Sequence, residues 1–284
     1  MKPTKIDGTR VDLWQYRGRP ALVAHRGDAV SFAENTMPAL AGAYEAGARY
    51  VEFDVQLAAD EVPILLHDDD LKRTSSRSGS VFEFGSDELD KVSVGEPERF
   101  GTRFEDVTVP TLATALEWLG TRSDCTAFVE VKSASIDHFG LATVANRVFD
   151  ALENLAEQVV AISFDTEFVA AARKAGFTIG WALRNYDPPT RKTAEQLSPD
   201  YLFINHYKLT EQHEILWPGS WNWVLYEAAT PELALHFRRL GAALAESMAA
   251  SELLAAPPFA MGPAAMEQAA EQAALEEPVD DGAD

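Results

Sequence analysis

Short apolar runs alternate with helical patterns from Pro20 almost to Met248. The first run, Ala21-Leu22-Val23-Ala24, ends at His25-Arg26-Gly27. A helix is expected near Pro38–Ala46: Asn35 or Thr36 can cap it, Pro38 suits its first turn and Gly47 can end it. A strand at Tyr50–Gln56 and an extended run, Pro63-Ile64-Leu65-Leu66-His67, come next. Further strands are expected at Ala127–Lys132, Val159–Phe164, Thr178–Leu183, Tyr201–Asn205, Trp223–Ala228 and Ala242–Ser247. Helical patterns such as Phe139–Asn154, Glu167–Lys174 and Pro231–Leu240 lie between most of them.

Only Leu57–Val62 separates the run ending at His67 from the strand before it, too few residues for a parallel crossover. That run is therefore read as a hairpin-like extension. Eight strands remain, each except the last followed by a helical pattern, and this is the signature of an α/β fold of the (β/α)8 TIM-barrel type. A doubly wound open sheet is the rival, but no glycine-rich nucleotide turn supports it. The polar stretch of about residues 68–108 reads as a small insertion after the second strand, over one barrel mouth. Residues 255–284 are rich in Ala and Pro, hold seven acids and lack Lys or Arg, so a disordered acidic tail is expected after a domain spanning 1–254.

Composition narrows the partners. A hydrophobic content of 46% suffices for a large core, and a net charge of −21 excludes the basic footprint of a nucleic-acid binder. The same charge disfavours adhesion to anionic membranes. One cysteine, Cys125, cannot form an intrachain disulfide. Met1 to Trp14 holds no signal-peptide core, and no run of about 18 apolar residues predicts a membrane span. A soluble cytoplasmic protein is expected; nothing in the pattern specifies an oligomeric state.

Strand parity locates the chemistry. In Tyr50-Val51-Glu52-Phe53-Asp54-Val55, the apolar Val51, Phe53 and Val55 share one face, so Glu52 and Asp54 point into the barrel. Phe128-Val129-Glu130-Val131-Lys132 repeats the pattern and turns Glu130 and Lys132 inward. Three carboxylates at the ends of two strands offer hard oxygen ligands for Mg²⁺ or Ca²⁺. A purely structural Glu–Lys pair would leave Glu52 and Asp54 together without a counter-charge. His25 and His67 each end an apolar run, the position of a general acid/base pair at a barrel mouth. Arg26 and Lys132 supply positive charge for a phosphate. Of the other histidines, His206 ends a strand and is read as structural, while His138, His213 and His236 are read as surface groups. Trp181 and Tyr226 are candidates for the pocket wall.

At these residues the chain resembles the glycerophosphodiester phosphodiesterase family. The matching segments are His25-Arg26-Gly27 with Glu34-Asn35-Thr36, Glu52-Phe53-Asp54, His67-Asp68 with Arg73-Thr74, Pro110-Thr111-Leu112, Glu130-Val131-Lys132 and Ser163-Phe164-Asp165. They follow the family's order over roughly residues 20–185. The resemblance implies a barrel, a divalent cation and hydrolysis of small-molecule phosphodiesters such as glycerophosphocholine or glycerophosphoethanolamine to glycerol 3-phosphate and an alcohol. It assigns Glu52, Asp54 and Glu130 to the metal, His25 and His67 to acid/base catalysis, and Arg26 and Lys132 to phosphate. One histidine would take a proton from the attacking hydroxyl and the other protonate the departing alcohol.

Departures lie near the C-terminus. The family's Trp-Thr-Val-Asn is replaced by Tyr226-Glu227-Ala228-Ala229, and its closing Thr-Asp-x-Pro by Glu246-Ser247-Met248-Ala249. Thr114 stands where an acid is usual. Two other readings follow. A lysophospholipase D-type enzyme would need an apolar channel, which the insertion could build. A non-catalytic phosphodiester-binding barrel is disfavoured by the presence of both histidines and all three carboxylates.

Overall fold

The computed structural model describes residues 18–209 and 215–260. Its strands are β1 (Ala21–Ala24), β2 (Tyr50–Leu57), β3 (Pro63–Leu65), β4 (Thr126–Val131), β5 (Val159–Ser163), β6 (Thr178–Ala182), β7 (Tyr201–Asn205), β8 (Asn222–Tyr226) and β9 (Leu244–Ser247). Eight of them pair in parallel in the order β1, β9, β8, β7, β6, β5, β4, β2, and β2 pairs back to β1, which closes a barrel. β3 is antiparallel to β2, with Val55 opposite Leu65, as the short connection requires.

Helices α1 (Met37–Glu45), α2 (Ser86–Leu89), α3 (Pro97–Phe100), α4 (Leu112–Gly120), α5 (Ser133–Phe139), α6 (Leu141–Leu152), α7 (Thr166–Ala175), α8 (Pro188–Leu197), α9 (Pro231–Leu240) and α10 (Ala250–Ala255) fill the connections. Thr36, Thr111, Asp165, Asp187 and Thr230 cap α1, α4, α7, α8 and α9 through their side-chain oxygens. The single helix expected at Phe139–Asn154 is two. Gly140, with φ 82° and ψ 147°, leaves the helical region and breaks it into α5 and α6. Nor is every strand followed by an α-helix. Among the described residues, the link from β7 to β8 carries one 3₁₀ turn at His206–Lys208.

Two cores lie on either side of the strands. Val51, Phe53, Val55, Val129 and Val131 face outward and pack with Leu116, Val148 and Phe168 of the helices. Inside the barrel, Val23, Tyr50, Phe128, Tyr201, Phe203, Val224 and Leu244 form an apolar floor. A fully buried Leu or Phe in such layers stabilises by about 1.5–3 kcal/mol relative to exposure. The insertion buries its own small cluster, including Leu71, Val81, Leu89 and Val94. Phe82 stacks on His138 of α5, with ring centroids 4.4 Å apart, so this exposed histidine also helps to seat the insertion.

The chain after α10 is tied down as far as it is described. Phe259 is buried in the outer core, and Arg19 donates hydrogen bonds to the Pro258 and Phe259 carbonyls at 2.6 and 2.8 Å. Most of the expected tail (261–284), the N-terminal stretch read for a signal peptide, and His213 lie outside the described residues. Among those described, no helix is long and apolar enough to cross a membrane.

Candidate active site

The C-terminal ends of the barrel strands converge on a pocket lined by His25, Asp54, His67, Glu130, Lys132 and Tyr226, among others. Glu52 and Asp54 are 2% and 1% exposed. One ligand oxygen from each of Glu52, Asp54 and Glu130 falls within 4.8 Å of the others. Strand alternation put all three acids on the inside face, and the fold brings them together there.

The loop after β1 is built around this triad. Arg26 adopts φ 58°, a left-handed conformation uncommon for a side-chain-bearing residue. That geometry turns its backbone N–H toward Glu52 Oε2 at 2.9 Å and its guanidinium toward Asp54 (Nε–Oδ2 3.2 Å) and Glu34 (2.9 Å). Gly27 follows at φ 79°, where a Cβ would come within 2.5 Å of the Ala39 backbone, so no larger residue fits. Asn35 was a possible helix cap, but Thr36 fills that role. Asn35 instead clamps Asp54: its amide N–H donates to Oδ2 at 2.8 Å and its carbonyl accepts the Asp54 N–H at 3.0 Å.

Lys132 stands within 3.1 Å of Asp54 and 2.6 Å of Glu130. Burial works against its ammonium, but Asp54 and Glu130 raise its pKa. Burial also opposes the charged form of Asp54, yet Lys132, Arg26 and the Asn35 amide hold that carboxyl well below the usual carboxylate range. Glu52 behaves oppositely. Burial, then Asp54 and Glu246, push its carboxyl well above the usual range, and its Oε1 is buried with no hydrogen-bond partner. A buried acid without a cation, beside two more hard oxygen donors, fits a divalent ion.

The two imidazoles have different surroundings. His25 is 9% exposed, its Nδ1 is without a partner and its Nε2 is 3.9 Å from Glu52. Burial, then Arg26, lower its pKa to about 3, which keeps the ring neutral. His67 Nδ1 is 2.6 Å from Asp68 Oδ1. Burial opposes the Asp68 carboxylate, but hydrogen bonds from Arg73 and His67 hold its pKa down. An ionised carboxylate only accepts, so the His67 proton sits on Nδ1 and Nε2 is left for the pocket. Arg73 grips Asp68 at 2.6 Å and makes a two-pronged contact with Glu34 at 2.7 Å. Glu34 thus joins the Arg26 and His67 sides of the mouth.

Sequence reasoning missed several of these groups. Asp68 and Glu34 sit inside segments already quoted, but their pairings cross 39 residues or join adjacent side chains, and no periodicity reports either. Glu246, 3% exposed, also lines the pocket. Its signal was parity with Leu244, obscured because both faces of Ala242–Ser247 are almost free of polar residues. Tyr226 does line the pocket, joined by Phe164 and Phe203. Trp181 does not. It lies on the outer face of β6 among the helix contacts, its Nε1–H donating to the Phe164 carbonyl at 3.3 Å, while the next residue, Ala182, faces the pocket. His206 packs on Phe237 outside the pocket, and His236 is exposed. Cys125 is buried, which raises its thiol pKa to about 12 and leaves it an inert core group.

Fold and mouth together define a (β/α)8-barrel protein with a carboxylate–imidazole centre of the kind that holds a cation and an anionic ligand. Residues 25–217, more than half of the chain, match the glycerophosphoryl diester phosphodiesterase family, and the chain belongs to that family. A glycerophosphodiester phosphodiesterase of Caldanaerobacter subterraneus is 33% identical over 146 residues, which cover 51% of this chain and 58% of that protein. Mouse glycerophosphodiester phosphodiesterase 1 is 31% identical over 160 residues, covering 56% and 46%. The matches thus span about half to three fifths of these relatives' own length. A solved Oleispira antarctica phosphodiesterase, in complex with the product sn-glycerol-3-phosphate, superposes with a TM-score of 0.72 at 21% identity. It covers 85% of this chain and 98% of that one, and shares the fold.

Proposed function

We propose that this protein hydrolyses glycerophosphodiesters, such as glycerophosphocholine and glycerophosphoethanolamine, to glycerol 3-phosphate and an alcohol. The observation that carries this reading is that His25 and His67 line one pocket with Asp54, Glu130, Arg26 and Lys132, in a chain of this family. Glu52, Asp54 and Glu130 would hold a divalent ion, which supplies Lewis-acid polarisation of the phosphate. Mg²⁺ and Ca²⁺ both suit such oxygen donors.

The protein's own groups divide the remaining work. Arg26 and Lys132 balance charge on the phosphoryl oxygens as it develops. His25, in the pocket with a ring nitrogen free of any partner, suits the base that takes a proton from the attacking hydroxyl, that of water or of the substrate's own glycerol. His67, whose Nδ1–H is held by Asp68, suits the acid: with Nε2 also protonated, it gives that second proton to the departing alcohol. Tyr226, Phe164 and Phe203 give the pocket an apolar wall.

Purified protein should release glycerol 3-phosphate from glycerophosphocholine, stop in chelator and resume with Mg²⁺ or Ca²⁺. A p-nitrophenyl glycerophosphate separates the histidines. Its leaving group needs no protonation, so His67→Ala should keep most of its activity on it while His25→Ala should not. No glycerol 3-phosphate from either natural diester would refute the assignment. The lysophospholipid reading called for an apolar channel from residues 68–108; none of the pocket-lining residues comes from that segment.

A further inference from the structure

The last barrel strand carries an acid that the constellation above does not use. Glu246 follows Leu244 by two residues, so both point inward. Leu244 joins the apolar floor, and Glu246 lines the same pocket as Asp54 and Glu130. It is 3% exposed, and its Oε1 is buried without a hydrogen-bond partner, as is Glu52 Oε1. The neighbouring cations are engaged elsewhere: Lys132 with Asp54 and Glu130, Arg26 with Asp54 and Glu34. With every acid ionised, Glu52, Asp54, Glu130 and Glu246 outnumber Arg26 and Lys132, Glu227 on the pocket wall adds to the excess, and a divalent ion offsets it.

We propose that Glu246 is a fourth carboxylate of the cation centre and tips it toward Ca²⁺ over Mg²⁺. The inference rests on the cation-dependent reading above. Ca²⁺ accepts about 6–8 oxygen ligands in flexible geometry, whereas Mg²⁺ keeps its waters and is usually served by one or two carboxylates. Glu246 stands outside the compact group formed by the other three acids. It lines the pocket beside that group, so it reaches the ion as a charge or through a bridging water, and loss of such an outer partner weakens metal affinity by about 10–100-fold.

The test is calorimetric titration of CaCl₂ and of MgCl₂ into metal-free full-length protein. The wild type should bind Ca²⁺ more tightly than Mg²⁺. Glu246→Gln keeps the size and removes the charge; it should lose about tenfold or more in Ca²⁺ affinity, with a smaller loss for Mg²⁺. Glu246→Thr is a second neutral variant and should behave alike, while Glu246→Asp should keep the preference. Melting temperatures in chelator show that each variant is folded. Ca²⁺ affinity within twofold of wild type in both neutral variants, or a wild type that prefers Mg²⁺, overturns the proposal. If Glu52→Gln abolishes binding while the Glu246 variants match wild type, only the role of Glu246 falls. If the wild type binds neither ion, the cation-dependent reading falls with it.

Discussion

The barrel interior holds two layers built by the same strands, and they could hardly differ more. Tyr50, Phe128 and Leu244 belong to the floor, while Glu52, Glu130 and Glu246, each two residues further along, belong to the mouth. Two steps along a strand preserve the face and advance the side chain by about 6.6 Å. One layer can therefore be chosen for packing and the next for chemistry. In the floor, Phe128 meets Tyr50, Tyr201 and Phe203 at ring-centroid distances of 6.1, 5.1 and 5.2 Å. In the mouth, hydrogen bonds and ion pairs replace packing.

The sharpest challenge to a clean division is Lys132. It belongs to the mouth, yet it compensates the buried Asp54 and the half-buried Glu130 carboxylates. Lys132→Met should lower kcat by about 10³-fold through lost charge stabilisation. It should also destabilise the fold by about 3 kcal/mol, because Glu130 loses its ion-pair partner and Asp54 keeps only Arg26 and Asn35. Denaturant unfolding in chelator, set beside steady-state kinetics, measures both. A variant of wild-type stability would show that the carboxylates find other partners.

Phe128→Ala is the opposite case. It should cost about 3–5 kcal/mol of stability through the cavity it leaves. Below its unfolding midpoint, kcat should stay within a few-fold of wild type. A large fall in kcat without loss of stability would mean that floor and mouth are coupled.

Asp68→Asn has a smaller and more selective effect. It keeps the shape but replaces the carboxylate with a neutral amide, whose oxygen stays with Arg73 and whose N–H then faces His67 Nδ1. Activity should fall by about 10²-fold, with the unfolding midpoint little changed. On a p-nitrophenyl leaving group the loss should shrink. Equal losses on both substrates would mean that Asp68 does not act through His67.

At the small end, Arg147 and Glu61 pair at 2.6 Å on the exterior, both well exposed. Arg147→Ala should change stability by less than about 1 kcal/mol and leave kcat alone. This is the baseline against which the other variants are read.

How much of this was readable beforehand follows from the same two layers. Strand alternation located Glu52, Asp54 and Glu130 because valines and Phe53 marked the outward face clearly. The same signal was mute for Glu246, where alanines stand on both faces. It was also mute for Trp181, since an aromatic suits either side of β6. The helix break at Gly140 was hidden because apolar spacing runs through it without interruption. Asn35 looked like a cap because local sequence cannot show that Asp54, 19 residues away, comes within hydrogen-bonding distance. The bracket of Glu34, Arg73 and Asp68 is likewise a product of closure, when the first loop and the insertion meet over the mouth.

The central claim is that the chemistry resides in the two imidazoles of the mouth and not in the barrel that carries them. It is tested most directly by following glycerol 3-phosphate release from glycerophosphocholine with wild type and the His25→Ala, His67→Ala double variant. The unfolding midpoints of both are measured in the same buffer. The account predicts an unfolding midpoint close to wild type and product formation reduced by at least about 10⁴-fold. A folded double variant that releases product at the wild-type rate would contradict it.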